Sequence, residues 1–368
     1  MAPQTIRVLV VDDSAVIRAM IRDSIRATPG MEVVGTASDG VRALEIFDAV
    51  WPDVVTLDVQ MPNMDGLATL DALLARRPVP VIMVSSLTKL GAKITLDALD
   101  RGALDYVAKP DYGAQTKAAI RDELPRKIRS MAGIDVRRIL EIRQERKARR
   151  AQQAERRHAP KQLSESIPAE LTDKCIAIGI STGGPPALAS VFETLRPPMP
   201  PIVVVQHMPA HFTKPLAWRL DSGSALSIKE AAQGDVLKAN HVLIAPGGKH
   251  LEVRRVGAQV KAVLRDGPPV SGHKPSVDVM MTSAAKTFGS ACLGVIMTGM
   301  GRDGSDGCKA IRAAGGYVLG QDEASSDVYG MNKVAFVEGN VDGQFNLHQA
   351  AAVITRRVRT LRCPAGVV

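Results

Sequence analysis

The residues best suited to chemistry stand in one stretch, Cys175-Ile-Ala-Ile-Gly-Ile-Ser-Thr-Gly-Gly-Pro-Pro-Ala-Leu188. Gly179-Ile-Ser-Thr-Gly183 matches the nucleophile-elbow pattern, in which flanking glycines let a sharp turn present a serine hydroxyl. Ser181 is therefore a candidate nucleophile, and the N–H groups of a following helix could stabilise an oxyanion beside it. The same glycines could instead close a βα unit or cradle a phosphate. A serine needs a base. His207 ends the apolar run Pro201-Ile-Val-Val-Val-Gln, and His273 is a rival in Gly-Pro-Pro-Val-Ser-Gly-His-Lys-Pro. His211 lies four residues beyond His207, but Pro209 between them argues against the continuous helix that a metal-binding pair would need. Asp303, in Thr298-Gly-Met-Gly-Arg-Asp-Gly, could hold a histidine ring as a third member does, whereas Asp306 reads as a helix-start residue.

A second set is acidic. Asp12, Asp13 and Asp58 end apolar runs, and Ser85 and Lys109 end two more. Crowded carboxylates repel unless a cation holds them, and a hard oxygen-seeking ion such as Mg²⁺ suits them. Asp58 could then accept a phosphoryl group, with Lys109 as counter-charge. Taken singly, each acid could equally be a solvated strand cap.

These residues need a scaffold that brings strand ends together. Cys175 to Ile180 reads as a buried parallel strand, with a helix from Ala187 to Leu195. In the first third, strands at 6–13, 31–37, 53–59, 80–85 and 105–108 alternate with helices at 16–25, 41–47, 67–74, 94–99 and 114–128. That alternation predicts a doubly wound five-stranded α/β domain with its site at the strand carboxyl ends. Ser14 is placed to cap the first helix. Later, strands at 201–207, 242–245 and 291–297 and a helix at 277–288 predict a second doubly wound, mostly parallel α/β domain.

A chain of 368 residues suits two such domains. Aromatic residues make up only 3 %, so the cores must be built from Val, Leu, Ile, Ala and Met. No apolar run approaches a membrane span and no signal-like core precedes the first strand, so a cytoplasmic protein without membrane insertion is expected. Cys175, Cys292, Cys308 and Cys363 show no paired spacing and read as reduced. The net charge of +9 is local: residues 126–161 carry 13 Lys/Arg against 4 Asp/Glu, leaving the remainder neutral. We read residues 129–168 as a solvated, partly helical basic linker, with nucleic-acid contact as the sharper alternative. A DNA-binding domain normally carries its basic footprint on a folded face, and no nucleic acid is expected.

Two resemblances follow from these motifs. Val-Val-Asp-Asp-Ser, Leu-Asp58-Val-Gln-Met-Pro-Asn-Met-Asp-Gly, Met-Val-Ser85-Ser and Tyr106-Val-Ala-Lys109-Pro resemble the receiver domain of bacterial two-component systems, over residues 5–128. The resemblance implies phosphorylation of Asp58 by a histidine kinase, a Mg²⁺ site at Asp12, Asp13 and Asp58, and switch residues Ser85, Tyr106 and Lys109. Gly-Ile-Ser-Thr-Gly-Gly-Pro, Val-Gln-His-Met-Pro, Ala-Pro-Gly-Gly-Lys-His, Pro-Ser-Val-Asp and Thr-Gly-Met-Gly-Arg-Asp-Gly resemble the catalytic domain of the chemotaxis protein-glutamate methylesterases, the CheB family. It covers about residues 172–358, within a domain expected at 169–360, and implies a triad of Ser181, His207 and Asp303, with the Met300 N–H serving the oxyanion and no cofactor there. The order Ser, His, Asp differs from that of an α/β-hydrolase. Lys274, Ser271 and Asn332 depart from the family's usual arginine, asparagine and proline. The expected function is a phosphorylation-regulated methylesterase and glutamine deamidase acting on methyl-accepting receptors. The rival is a phosphorylation-switched binding module that docks without turnover.

Overall fold

The computed structural model describes residues 5–86, 88–109, 119–155 and 171–361. Residues 114–118 of the last expected receiver helix, residues 156–168 of the linker, and Cys363 lie outside them. The chain divides into two compact units, 1–145 and 146–368.

In the first unit, β1 (Ile6–Val11), β2 (Met31–Ala37), β3 (Val54–Asp58), β4 (Val81–Ser85) and β5 (Asp105–Ala108) form one sheet in the order β2-β1-β3-β4-β5. Every neighbouring pair is parallel. β3, β4 and β5 are buried throughout, which is why their sequences are continuous apolar runs rather than alternating ones. Ser14 caps α1 (Ala15–Arg26) as expected, and Asp39, Asp65 and Thr88 cap α2 (Gly40–Val50), α3 (Gly66–Arg76) and α4 (Lys89–Arg101). The strand order reverses between β1 and β3, so the crevice at their carboxyl ends is a natural site. Asp12, Asp13 and Asp58 stand there.

The expectation of a solvated linker from residue 129 is corrected. α5 (Leu124–Met131) and the first half of α6 (Val136–Glu155) pack on the first unit. Val136 and Ile139 are buried, and the Arg143 guanidinium donates to the carbonyls of Leu99 (2.5 Å) and Ala103 (3.3 Å) at the end of α4. The few apolar residues of this stretch thus serve as anchors. A cation at the carbonyl end of a helix also answers the orphan C=O groups there.

The second unit holds a seven-stranded sheet of β6 (Cys175–Ile180), β7 (Ile202–Gln206), β8 (Ser227–Glu230), β9 (His241–Ile244), β12 (Cys292–Ile296), β13 (Tyr317–Gln321) and β14 (Gly343–Phe345), in the order β14-β13-β12-β6-β7-β9-β8 and parallel throughout. Its centre is β12 (Cys292–Ile296), β6 (Cys175–Ile180) and β7 (Ile202–Gln206), all fully buried. After β6 comes α7 (Gly184–Thr194), which starts earlier than expected because Pro185 and Pro186 occupy its first turn. Ala187, Leu188, Val191 and Phe192 form its buried face. Beyond β7, Pro209 precedes α8 (Ala210–Gly223), so His207 and His211 do not share a helix. The sequence reading missed β8 (Ser227–Glu230) and a separate antiparallel hairpin, β10 (His250–Val256) with β11 (Gln259–Arg265). The three buried cysteines among the described residues are free thiols.

The docking of α6 is testable. Ile139→Ala should lower stability by about 2 kcal/mol or more, as for a buried aliphatic residue, while Gln144→Ala on the exposed face should stay within about 0.5 kcal/mol. Urea denaturation of the full chain measures both, and equal midpoints would return this stretch to solvent.

Candidate active site and phosphoacceptor site

Three neighbouring strands deliver three side chains to one sheet edge. Ser181 follows β6, His207 follows β7, and the loop after β12 carries Asp303. The backbone ties the loops together, with Ser181 N–H donating to Thr298 O (3.0 Å) and His207 N–H to Ile180 O (3.2 Å). His207 Nδ1 lies 3.1 Å from Ser181 Oγ, and His207 Nε2 lies 2.8 Å from Asp303 Oδ2. β7 borders β6 directly, while β12 is one strand further. The ring's near nitrogen therefore meets the serine and its far nitrogen the aspartate, opposite to the chymotrypsin arrangement. With Asp303 ionised, the hydrogen belongs on Nε2, and Nδ1 offers its lone pair to the serine hydroxyl.

Two close approaches fix the turn. A Cβ on Gly184 would fall 1.9 Å from Gln206 Oε1, and one on Gly299 would fall 2.7 Å from Ser181 Cβ. Both positions exclude any side chain. Buried Gln206 in turn donates from Nε2 to the carbonyls of Ser181 and His207.

Asp303 is 1 % exposed, and a buried carboxylate is costly unless its lone pairs are filled. Besides His207 it accepts from Ser276 Oγ (2.8 Å), Val277 N–H (2.7 Å) and Asp278 N–H (3.1 Å). The last two are first-turn groups of α9 (Val277–Phe288), whose positive end faces the carboxylate. Burial alone would raise the Asp303 carboxyl, but the bond and charge of His207 and the two N–H groups reverse this and hold it well below the usual range. Asp278 Oδ1 accepts from Gly304 and Gly307 N–H, stitching α9 to the loop that carries Asp303. Its carboxyl is pushed up, mainly by burial. The sequence reading missed these supports. Their signal was Pro-Ser-Val-Asp, a serine cap whose free N–H groups need an anion.

In the first unit, Lys109 Nζ bridges Asp12 Oδ2 (3.0 Å) and Asp58 Oδ2 (2.6 Å). Burial, then the charge of Asp12, pushes the Asp58 carboxyl up to about 6 despite Lys109. Asp12 is also raised, again mainly by burial. Burial would lower Lys109, yet its contacts with Asp58 and Asp12 outweigh that and raise it. Two buried carboxylates against one ammonium leave room for further positive charge. Carboxylate oxygens of Asp12, Asp13 and Asp58 lie within 4.8 Å of one another, a hard-oxygen donor set that fits a small divalent cation. Ser85 is buried at the end of β4, its hydroxyl donating weakly to Ser86 and Gly91 carbonyls (3.4 and 3.3 Å). Tyr106 is buried on β5 beneath Lys127.

Comparison with known proteins accords with this two-part layout. Residues 176–354 match the CheB methylesterase family and residues 8–121 the response regulator receiver domain. A protein-glutamate methylesterase/protein-glutamine glutaminase of Syntrophotalea carbinolica is 45 % identical over 95 % of this chain and 96 % of its own. The chain belongs to the CheB methylesterase family. A relative of the same name from Pectobacterium atrosepticum is 44 % identical over 94 % of this chain and 95 % of its own. The crystal structure of the Thermotoga maritima CheB methylesterase catalytic domain is 38 % identical, with a TM-score of 0.49, over 50 % of this chain and 97 % of that one. As a CheB methylesterase the chain is an ester hydrolase. No helix among the described residues is long and apolar enough to cross a membrane.

The three positions expected to depart from the family pattern have defined local surroundings. Asn332 is buried on α11 (Met331–Val337), where its amide donates to Gln321 O and Ser326 Oγ, both at 2.8 Å. Ser271 adopts φ +51°, a left-handed conformation that asparagine also tolerates. Lys274 Nζ donates to Gly267 O at 3.0 Å. Asp306 sits in the first turn of α10 (Ser305–Ala313), bound to Arg302, as its helix-start reading expected.

Asp278 gives a pH test. An acid whose native pKa is raised contributes stability below its unfolded value, near 3.8, and loses it as pH rises through the native value. Asp278→Asn keeps an acceptor for Gly304 and Gly307 but does not titrate. Its melting temperature relative to the parent should therefore climb from pH 4.5 to pH 7.5. A relative melting temperature that falls over that range would mean the charged form of Asp278 is the favoured one.

Proposed function

We propose that the protein is a phosphorylation-regulated protein-glutamate methylesterase and protein-glutamine deamidase acting on methyl-accepting chemoreceptors. The observation that carries this reading is the unbroken chain Ser181–His207–Asp303, with contacts of 3.1 and 2.8 Å. Ser181 Oγ attacks the γ-carbonyl carbon of a glutamate methyl ester while its proton passes to His207 Nδ1. Asp303 supports the resulting imidazolium at Nε2. The Met300 N–H serves the oxyanion: Met300 follows Gly299, whose backbone abuts Ser181, and this N–H donates to no acceptor among the described residues. Collapse breaks the C–OCH₃ bond, and His207 returns the proton to give methanol. Water then loses a proton to His207 and attacks the acyl-enzyme, releasing glutamate and restoring the serine. With glutamine the leaving group is ammonia.

The receiver unit regulates this reaction. A histidine kinase of a chemotaxis-type pathway donates a phosphoryl group to Asp58 Oδ. Asp12, Asp13 and Asp58 would hold Mg²⁺, which supplies positive charge for the phosphoryl oxygens. Lys109 contributes its own charge, and Ser85 and Tyr106 respond to the modified site.

Ser181→Ala should abolish methanol release from methylated receptor, and His207→Ala should be nearly as damaging, each by about 10⁴-fold or more. Asp303→Asn should retain measurable turnover. Parental rates in Ser181→Ala would remove the nucleophile assignment, whereas a parent chain that releases no methanol would favour the docking module.

A small phosphodonor should label the full chain only with Mg²⁺ and only when Asp58 is intact. Labelling should raise methanol release by the full chain and leave a fragment starting at residue 165 unchanged. Acid-labile phosphate persisting in Asp58→Ala would show another acceptor.

A further inference from the structure

We propose that His273 is a positioning residue for the serine–histidine pair, its ring holding His207 against out-of-plane tilt; the idea rests on the acyl-transfer reading above. The two imidazoles stack with centroids 3.8 Å apart and planes 1° from parallel. The sequence allowed His273 as a rival base, but it is His207 Nδ1 that lies in hydrogen-bond contact with Ser181 Oγ.

The need for such a support follows from the direction of the His207 contacts. Its two hydrogen bonds leave from the two ring nitrogens, whose lone pair and N–H are directed outward in the plane of the imidazole. Together they fix the ring within that plane. They resist rocking about the line from Ser181 to Asp303 only weakly, because that motion hardly changes either distance. A second ring at van der Waals separation blocks the rocking directly, since any tilt drives atoms together. The stack also covers one face of His207, whose side chain is 8 % exposed. As Ser181 gives up its proton, His207 becomes a cation whose face lies against a neighbouring π-system, a favourable arrangement. None of this asks His273 to touch the substrate.

The chain invests in placing this ring. Val270 and His273 exchange backbone hydrogen bonds of 3.0 and 2.9 Å. Ser271 at φ +51° and Gly272 at φ +79° form the two-residue turn between them. Both turn residues are left-handed, as a tight mirror-type turn requires. Three residues later the same segment supplies Ser276, Val277 and Asp278 to the Asp303 carboxylate. One continuous stretch therefore controls both the face of His207 and the carboxylate at its far nitrogen.

The test uses the full-length protein and its His273→Ala and His273→Phe variants. A fluorophosphonate probe reports the reactivity of Ser181 without any receptor, and methanol release from methylated receptor gives kcat and KM. Loss of the stack in His273→Ala should slow labelling and lower kcat roughly three- to tenfold, the usual worth of an aromatic pair, with KM within about twofold. His273→Phe restores a flat face without a titrating nitrogen, so it should recover both rates to within about twofold. Equal labelling of the parent and His273→Ala overturns this inference alone. So does a His273→Phe variant as slow as His273→Ala, which would mean that a ring nitrogen, not the face, is needed. A loss confined to KM would move His273 to substrate binding and also overturns it. A parent chain whose Ser181 stays unlabelled overturns the acyl-transfer reading, and this inference with it.

Discussion

The catalytic unit is built around one buried negative charge. Asp303 is almost wholly withdrawn from water, and an unpaired carboxylate there would cost several kcal/mol. Four donors fill its lone pairs, and each demands something of the fold. The N–H groups of Val277 and Asp278 require that α9 begin at that point and aim its positive end at the carboxylate. Ser276 must cap that helix and also reach Asp303. His207 must bring its far nitrogen across the end of β6. The charge thus dictates where a helix starts, how a loop closes and which tautomer the histidine adopts.

The first unit uses buried carboxylates differently. There Asp12 and Asp58 share a single ammonium, and both acids are raised rather than lowered. Asp303 is a satisfied charge that stabilises its surroundings. Asp58 is an under-compensated one, held in an arrangement that gains from added cationic charge. The same residue type is a fully bonded, lowered acid in one unit and a raised, under-compensated one in the other.

Much of this was legible in the sequence because it is local. Continuous apolar runs such as 175–180 and 202–206 can only be buried strands, and the glycines and prolines after them force turns at their carboxyl ends. Parallel strands place those ends on one edge, so Ser181, His207 and Asp58 could be selected before any contact was known. The basic stretch after residue 128 was harder. Its charge composition suggested solvent, yet Ile139 is buried and Arg143, one helical turn on, bonds to the Leu99 carbonyl in α4. A few anchors decide such a segment, and bulk composition averages them away.

The sequence by itself determined most of the buried strands and their helices, the two-unit layout and the residues that stand at strand ends, because these follow from apolar periodicity and turn chemistry over a few residues. Only the tertiary structure decided that β12, β6 and β7 lie side by side, that Nδ1 rather than Nε2 faces the serine, and that His273 stacks on His207. It alone brought the start of α9 to Asp303. These are matters of strand order and of contacts between residues tens of positions apart. No local pattern encodes them, since they are set by which packing buries all the apolar faces while leaving no buried charge unpaired.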